Sequence, residues 1–369
     1  MKRRRFWSCA TLALLVALTA GAPPAPAPRV MPDSKGDLMA KLKFGAWIPT
    51  YAWSGKKTDP KNMRRIRESI VKCEKYGIDV WVIDHLLSAP GLYGNAWLEP
   101  LSSLAYAAAL TSKVDIATGI LVLPVRHPVL LAKEISTLCH LSNNRYVFGV
   151  GPGWYAREYE VTGSRIQERG KRTDEIIEAV TLLLTKPNAS YRGKFYSFDD
   201  VTIDPRPPKM PKIWVSGGSR VPDPGEHDVP VIATTVMDRI VKAGHWLSRC
   251  SGTQDWVKRD WGLLQQHAKS LGRDPKKLTF GHCNFIHLVD TPSHAKAVAA
   301  SKAPFIKTMG THRTYEHLQE SYMIGSIDHI NARIDDLVKA GLKYLVLGPV
   351  TDDPAQIDLL AKKVMTHFK

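Results

Sequence analysis

Short apolar runs alternate with amphipathic helical segments along almost the whole chain, and that rhythm constrains the fold more than any single motif. Candidate strands run from Leu42 to Pro49, Asp79 to Asp84, Val114 to Leu123, Arg145 to Gly151, Lys212 to Gly218, His245 to Arg249, Leu278 to Val289 and Tyr344 to Gly348. Between them lie patterns such as Asn62 to Tyr76, with Met63, Ile66, Ile70 and Cys73 at helical spacing, and Pro128 to Leu141, with Leu130, Leu131, Ile135 and Leu138. Gly77, Gly272 and Gly341 follow helical stretches where a left-handed C-cap is expected. Strand and helix in strict alternation predict a parallel sheet, and eight such units suit a closed (β/α)8 TIM barrel; a doubly wound open sheet is the second possibility. One large domain over residues 41–369 accommodates all of it. Insertions after strands 4 and 5 break the rhythm: a hairpin of Tyr191 to Phe198 and Val201 to Pro205, and a proline- and acid-rich loop from Pro222 to Pro230. One of the two is expected to cover the barrel mouth.

Residues 1–30 carry an address instead of a fold. Lys2, Arg3, Arg4 and Arg5 precede an apolar run from Cys9 to Ala22, long enough for a signal but short of the roughly 20 residues of a spanning helix. The basic start fits a twin-arginine or an ordinary secretory signal, with small residues at Ala20-Gly21-Ala22 for cleavage and a Pro/Ala linker from Pro23 to Pro28. Export, with no stable membrane span after cleavage, is the expectation. The net charge is +16, of which five charges belong to residues 1–30, leaving a distinctly basic body. That charge is spread and interleaved with acids, with no zinc-finger, basic-zipper or single-strand-binding pattern, so nucleic acid is not the expected partner; a small-molecule substrate is. Cys73, Cys139, Cys250 and Cys283 show no metal-binding or redox spacing and are expected to be buried free thiols. His127, His140, His282 and His287 likewise lack the spacing of a metallohydrolase, so no metal is expected.

Trp-Val-Ile-Asp-His, residues 81–85, ends an apolar run in a carboxylate and an imidazole. At the C-terminal tip of a barrel strand, where this architecture builds active sites, His85 is the candidate proton-transfer group and Asp84 its companion, bonding a cofactor or biasing the imidazole. On the residues alone a structural pair is the commoner case. Gly149-Val150-Gly151-Pro152-Gly153 closes the fourth strand but fails the dinucleotide fingerprint, lacking its third glycine spacing. Ser216-Gly217-Gly218-Ser219 ends the fifth, as a turn or as an anion nest with Arg220 beside it. Trp47, Trp154 and Trp246 are candidates for an aromatic-lined mouth, each admissible also as core.

The stretches from Trp97 to Tyr159, including LEPLSSLAYAAALTSKVDIATGILVLPVRHPVLLAKEISTL and RYVFGVGPGW, together with ERGKRTDEIIEAVTLLL at 168–184 and KIWVSGGS at 212–219, resemble the luciferase-like monooxygenase superfamily. The resemblance implies a TIM barrel holding coenzyme F420 or FMN at the C-terminal ends of its strands. It implies a non-prolyl cis peptide at Gly119-Ile120, cofactor contacts at Asp84, Gly119, Ile120, Gly151, Gly153, Ser216, Gly217 and Gly218, and a possible homodimer through helices after strands 2 and 3. An Asp-His ending to strand 2 is similar to the F420-dependent branch, whereas flavin-dependent members tend to show Glu-His-His. The F420-dependent sugar-phosphate dehydrogenases carry a tryptophan and a glutamate where this chain has Ala89 and Trp154, which removes the expected acid partner and argues against that substrate. Three readings follow: an F420-dependent oxidoreductase acting on an alcohol, carbonyl or conjugated alkene, an FMN-dependent monooxygenase, and a non-catalytic flavin-binding relative.

Overall fold

The computed structural model describes residues 42–368 apart from 52, 54, 55, 57, 89–95, 221–230 and 312. The signal and linker, Ala89 and the Pro222 to Pro230 loop therefore lie outside the described residues. The barrel strands are β1 (Lys43–Trp47), β2 (Asp79–Val82), β3 (Ile116–Thr118, continued by Leu121–Val122), β4 (Tyr146–Gly151), β5 (Ile213–Gly217), β6 (His245–Ser248), β7 (Thr279–Ile286) and β8 (Tyr344–Pro349). All neighbours are parallel, β8 pairs with β1, and β3 pairs with β4, which closes the ring and excludes the open sheet.

Helix boundaries follow capping chemistry. In α1 (Pro60–Tyr76) the Asp59 side chain accepts from the Lys61 amide, proline opens the helix, and Gly77 ends it at φ 72°. Then α2 (Pro100–Leu110) is capped by Glu99, α3 (Pro128–Leu141) follows β3, and α4 (Ala156–Val161) and α5 (Arg169–Thr185) follow β4. After β5 comes α6 (Thr234–Ala243), and after β6 comes α7 (Gln254–Ser270).

Each barrel strand sorts its residues by parity. One set points out into the large core between strands and helices, where Val80, Val82 and Trp246 lie. The other points inward, where Trp47, Trp81, Trp214, Tyr344, Leu247 and Phe285 form a second core. These inner rings are accommodated by glycine opposite them: a β-carbon on Gly45 would lie 2.6 Å from the Trp81 ring, and one on Gly281 2.4 Å from Trp214. At the N-terminal end the interior is closed by polar contacts. The Trp81 indole donates to the Tyr344 hydroxyl at 3.0 Å, that hydroxyl donates to Asp79, and Lys43 reaches Asp79 and Asp115 at 2.8 Å each. A filled floor leaves the C-terminal rim as the open end.

The hairpin differs from its expected position. Its arms are Ala189–Arg192 and Ser197–Val201, with Gly193 to Tyr196 as the turn, because the Glu175 carboxylate of α5 accepts from the Lys194 and Phe195 amides and shapes that turn. It lies on the outside of the barrel against α3 and α5, with Tyr191 bonded to Glu178, and not over the mouth. Cys73, Cys139 and Cys283 are buried free thiols, while Cys250 is partly exposed. No helix among the described residues is long and apolar enough to cross a membrane.

Candidate active site at the C-terminal rim

Parity decides the roles of Asp84 and His85. Trp81 and Ile83 face the interior, so His85 continues the inner face and Asp84 must turn outward. Asp84 is buried and accepts from the Val122 amide at 2.8 Å and from Arg126 at 3.1 Å. Desolvation is the largest influence on its carboxyl and raises its pKa, with Arg126 and the Val122 amide pulling the other way. Asp84 thus ties the end of β2 to the continuation of β3 and interacts with His85 through its charge, while the acid in hydrogen-bond contact with His85 is another residue. Since Arg126 is the countercharge of this buried carboxylate, we expect Arg126→Met to destabilise the fold by about 3–5 kcal/mol. Thermal or urea unfolding checks this; a loss below about 1 kcal/mol would show the pair to be dispensable.

The acid partner of His85 is Glu158 on α4. His85 Nδ1 lies 3.0 Å from Glu158 Oε1, and the same oxygen accepts from the Leu86 and Leu87 amides at 2.8 and 3.1 Å. Burial pushes the Glu158 carboxyl up, but hydrogen bonds from His85 and the two amides outweigh it and hold the pKa below its ordinary value. An ionised Glu158 is acceptor only, so His85 carries its proton on Nδ1 and presents Nε2 as the basic nitrogen when neutral. Glu158 Oε2 is buried without a hydrogen-bond partner. The imidazole stands between Trp97 (ring centroids 4.7 Å apart) and Trp154 (5.5 Å), and Trp154 is 44% exposed. The loss of glutamate at position 154 is therefore compensated four residues later. An acid in the first turn of the helix after a glycine-rich loop was the available signal, but nothing local tied it to His85, 73 residues away.

The other expected residues divide. The peptide Gly119-Ile120 is cis, as the resemblance implies. Trp47 lies inside the barrel below the rim, its indole nitrogen buried without a partner and 2.6 Å from where a β-carbon on Gly119 would stand. Side chains at Gly151 and Gly153 would meet Ile120 at 2.8 Å and Val122 at 2.6 Å, so these glycines admit the bulged third strand against β4. Trp246 does not line the mouth. Leu247 takes the inner side of β6, and Trp246 points out to stack on Trp261 and Phe280 while its indole donates to the Gly217 carbonyl at 2.9 Å. The anion nest after β5 already holds an anion. Asp260 of α7 accepts from the Ser219 amide at 2.6 Å and its hydroxyl at 2.7 Å, and a β-carbon on Gly218 would stand 3.2 Å from the same carboxylate. Gly217 turns its α-carbon toward Val236 of α6, and Ser216 has the inward parity of Trp214.

Among the described residues no group of three or more histidine, cysteine or acid side chains could hold a metal. A surface cavity of about 310 Å³ lined by Lys242, Gly244, Arg273 and Lys277 lies at the N-terminal end of β6 and β7, away from His85. The residues at and below the rim fit a flat redox ring: indoles lie beside the imidazole, and orphaned polar atoms stand at Glu158 Oε2 and, below the rim, at Trp47 Nε1. Together, ring closure and a histidine held by an acid at the strand tips define a TIM barrel with an imidazole-carboxylate pair at its C-terminal rim.

Residues 42–223 match the luciferase-like monooxygenase family. Over 164 residues, 43% of this chain and 49% of the relative, it is 32% identical to an F420-dependent glucose-6-phosphate dehydrogenase of Amycolatopsis mediterranei. Over 204 residues, 54% of this chain and 51% of the relative, it is 32% identical to an FMNH(2)-dependent dimethylsulfone monooxygenase of Pseudomonas fluorescens. The chain thus spans about half the length of the curated relatives it matches. A solved F420-dependent secondary alcohol dehydrogenase superposes with a TM-score of 0.70 over 89% of this chain and 99% of its own, at 19% identity, a likeness of fold.

Proposed function

We propose that this protein is an oxidoreductase that moves a hydride between coenzyme F420 and an alcohol, carbonyl or conjugated alkene. The observation that carries the reading is the His85 to Glu158 contact at the rim. When bound, the cofactor supplies the hydride acceptor or donor. His85 Nε2 takes the hydroxyl proton of an alcohol as hydride leaves, or returns it in the reverse direction, and Glu158 stabilises the imidazolium so formed while fixing the ring's orientation. Trp97 and Trp154 exclude water from the imidazole. The Asp-His ending of β2 and the F420-dependent relative support the choice of cofactor. The longer alignment with the FMNH(2)-dependent relative favours a second reading, a monooxygenase on reduced FMN. We place the activity outside the cytoplasm on the strength of the basic and apolar leader at residues 2–22.

The full chain, freed of cofactor, is titrated with F420 and with FMN, followed by each cofactor's own visible absorbance and by turnover of a panel of secondary alcohols. Preferential binding of F420 with turnover is the expected result. Preferential binding of FMN with oxygen uptake selects the second reading, and binding of either without turnover selects a carrier and rejects both.

A further inference from the structure

Arg249 immediately follows β6, and the alternation that puts Leu247 inside the barrel and Trp246 and Ser248 outside gives Arg249 the inner face at the rim. In the ring order β6 is separated from β2 by three strands on either side, so Arg249 stands diametrically across the mouth from His85. Its surroundings agree with that position. Its amide is 3.7 Å from where a β-carbon on Gly218 would stand, and its charge interacts with Tyr322, a member of the inner core against Phe285 at 5.8 Å. Arg249 is largely enclosed and, among the described residues, makes no hydrogen bond or ion pair, in contrast to Arg126, Arg172 and Arg239, which each bond a carboxylate. Asp260 of α7, which lies beside Gly218, is already committed to Ser219.

Burial dominates the electrostatics of Arg249. Burial depresses its pKa most; the Cys250 thiol and Tyr322 oppose this, and Arg220 and Arg313 add to it. A guanidinium taken from water without a countercharge is costly. Such an arrangement is retained where a ligand supplies the charge.

We infer that Arg249 is the anchor of an anion subsite, taking a carboxylate or phosphate group of the molecule that lies across the mouth from His85 to β6. This rests on the redox reading above and narrows it to an acidic ligand. The anionic group can belong to the substrate or to the cofactor, both proposed cofactors being phosphorylated, and the test separates the two.

Inorganic phosphate is titrated calorimetrically into the cofactor-free full chain at constant ionic strength, for the wild type, Arg249→Gln, and Arg192→Gln on the outer hairpin as a control. Saturable binding is expected in the wild type and the control, weakened at least about tenfold in Arg249→Gln, the loss of one charge-assisted contact. Without phosphate, Arg249→Gln is expected to melt at a higher temperature than the wild type, since it removes an uncompensated charge; a merely structural arginine would give the opposite sign. A drop in FMN affinity in Arg249→Gln with riboflavin affinity unchanged assigns the subsite to the cofactor's phosphate. An unchanged ratio of FMN to riboflavin affinity, with Arg249-dependent phosphate binding in the cofactor-loaded protein, assigns it to the substrate. Phosphate binding indifferent to Arg249→Gln, or a variant less stable than the wild type, overturns the inference. If cofactor binding is intact in that case, the redox reading stands. Arg249-dependent phosphate binding in a chain that binds neither cofactor removes the redox reading and leaves the subsite.

Discussion

His85→Ala is expected to cut turnover by about 10²–10⁴-fold with cofactor affinity nearly unchanged, the range by which a positioned acid or base accelerates proton transfer. The expectation follows from the geometry at the rim: the imidazole is enclosed by two indoles and held at Nδ1, so its Nε2 is the group prepared to exchange a proton. Glu158→Gln tests the same dyad without removing the ring. Gln still accepts from the Leu86 and Leu87 amides but no longer stabilises an imidazolium, so turnover falls while cofactor binding stays. The acid limb of stability moves too. Glu158 has a depressed folded-state pKa, so its contribution is complete above its ordinary value of 4.5 and is lost as pH falls through the lower folded-state value. Glu158→Gln should abolish that acid-side loss, read from melting temperature against pH. Loss of cofactor binding in His85→Ala, with turnover per bound cofactor unchanged, would reject the assigned role.

Gly149→Ala is the second large effect expected, on stability. A β-carbon at Gly149 would stand 1.9 Å from the Thr118 carbonyl oxygen and 3.1 Å from its carbon, backbone atoms that cannot swing aside. The two strands are pinned there, the Thr118 hydroxyl donating to the Gly149 carbonyl at 2.7 Å. We expect a loss above about 4 kcal/mol, a large part of the roughly 5–15 kcal/mol by which a domain is stable. Gly163→Ala is the control. It has φ 73° and nothing within 4 Å, so it bears only backbone strain, about 1–2 kcal/mol. Equal melting temperatures for the two variants would show that the β3 to β4 seam is not as tight as described.

The cis peptide at Gly119-Ile120 stands where the family resemblance implies it, and His85, just past the end of β2, meets Glu158 and two indoles. Strand parity decides the rest: Trp246, admissible as mouth or core, is core because Leu247 takes the inner place on β6, and Asp84 and His85 part to opposite sides for the same reason. The loop from Ser216 to Ser219 stays open in sequence between a turn and an anion nest because Asp260, which occupies Ser219, lies 41 residues on in α7.

Local periodicity determined the elements, their caps and their order, since the two-residue and 3.6-residue repeats are written in neighbouring side chains and survive without tertiary contacts. Only the closed ring decided that Glu158 is the acid on His85, that Asp84 belongs to Arg126, and that Arg249 faces His85 across the mouth. Those relations join residues far apart in the chain, and they exist only once the third and fourth strands pair and set the strand tips around one opening.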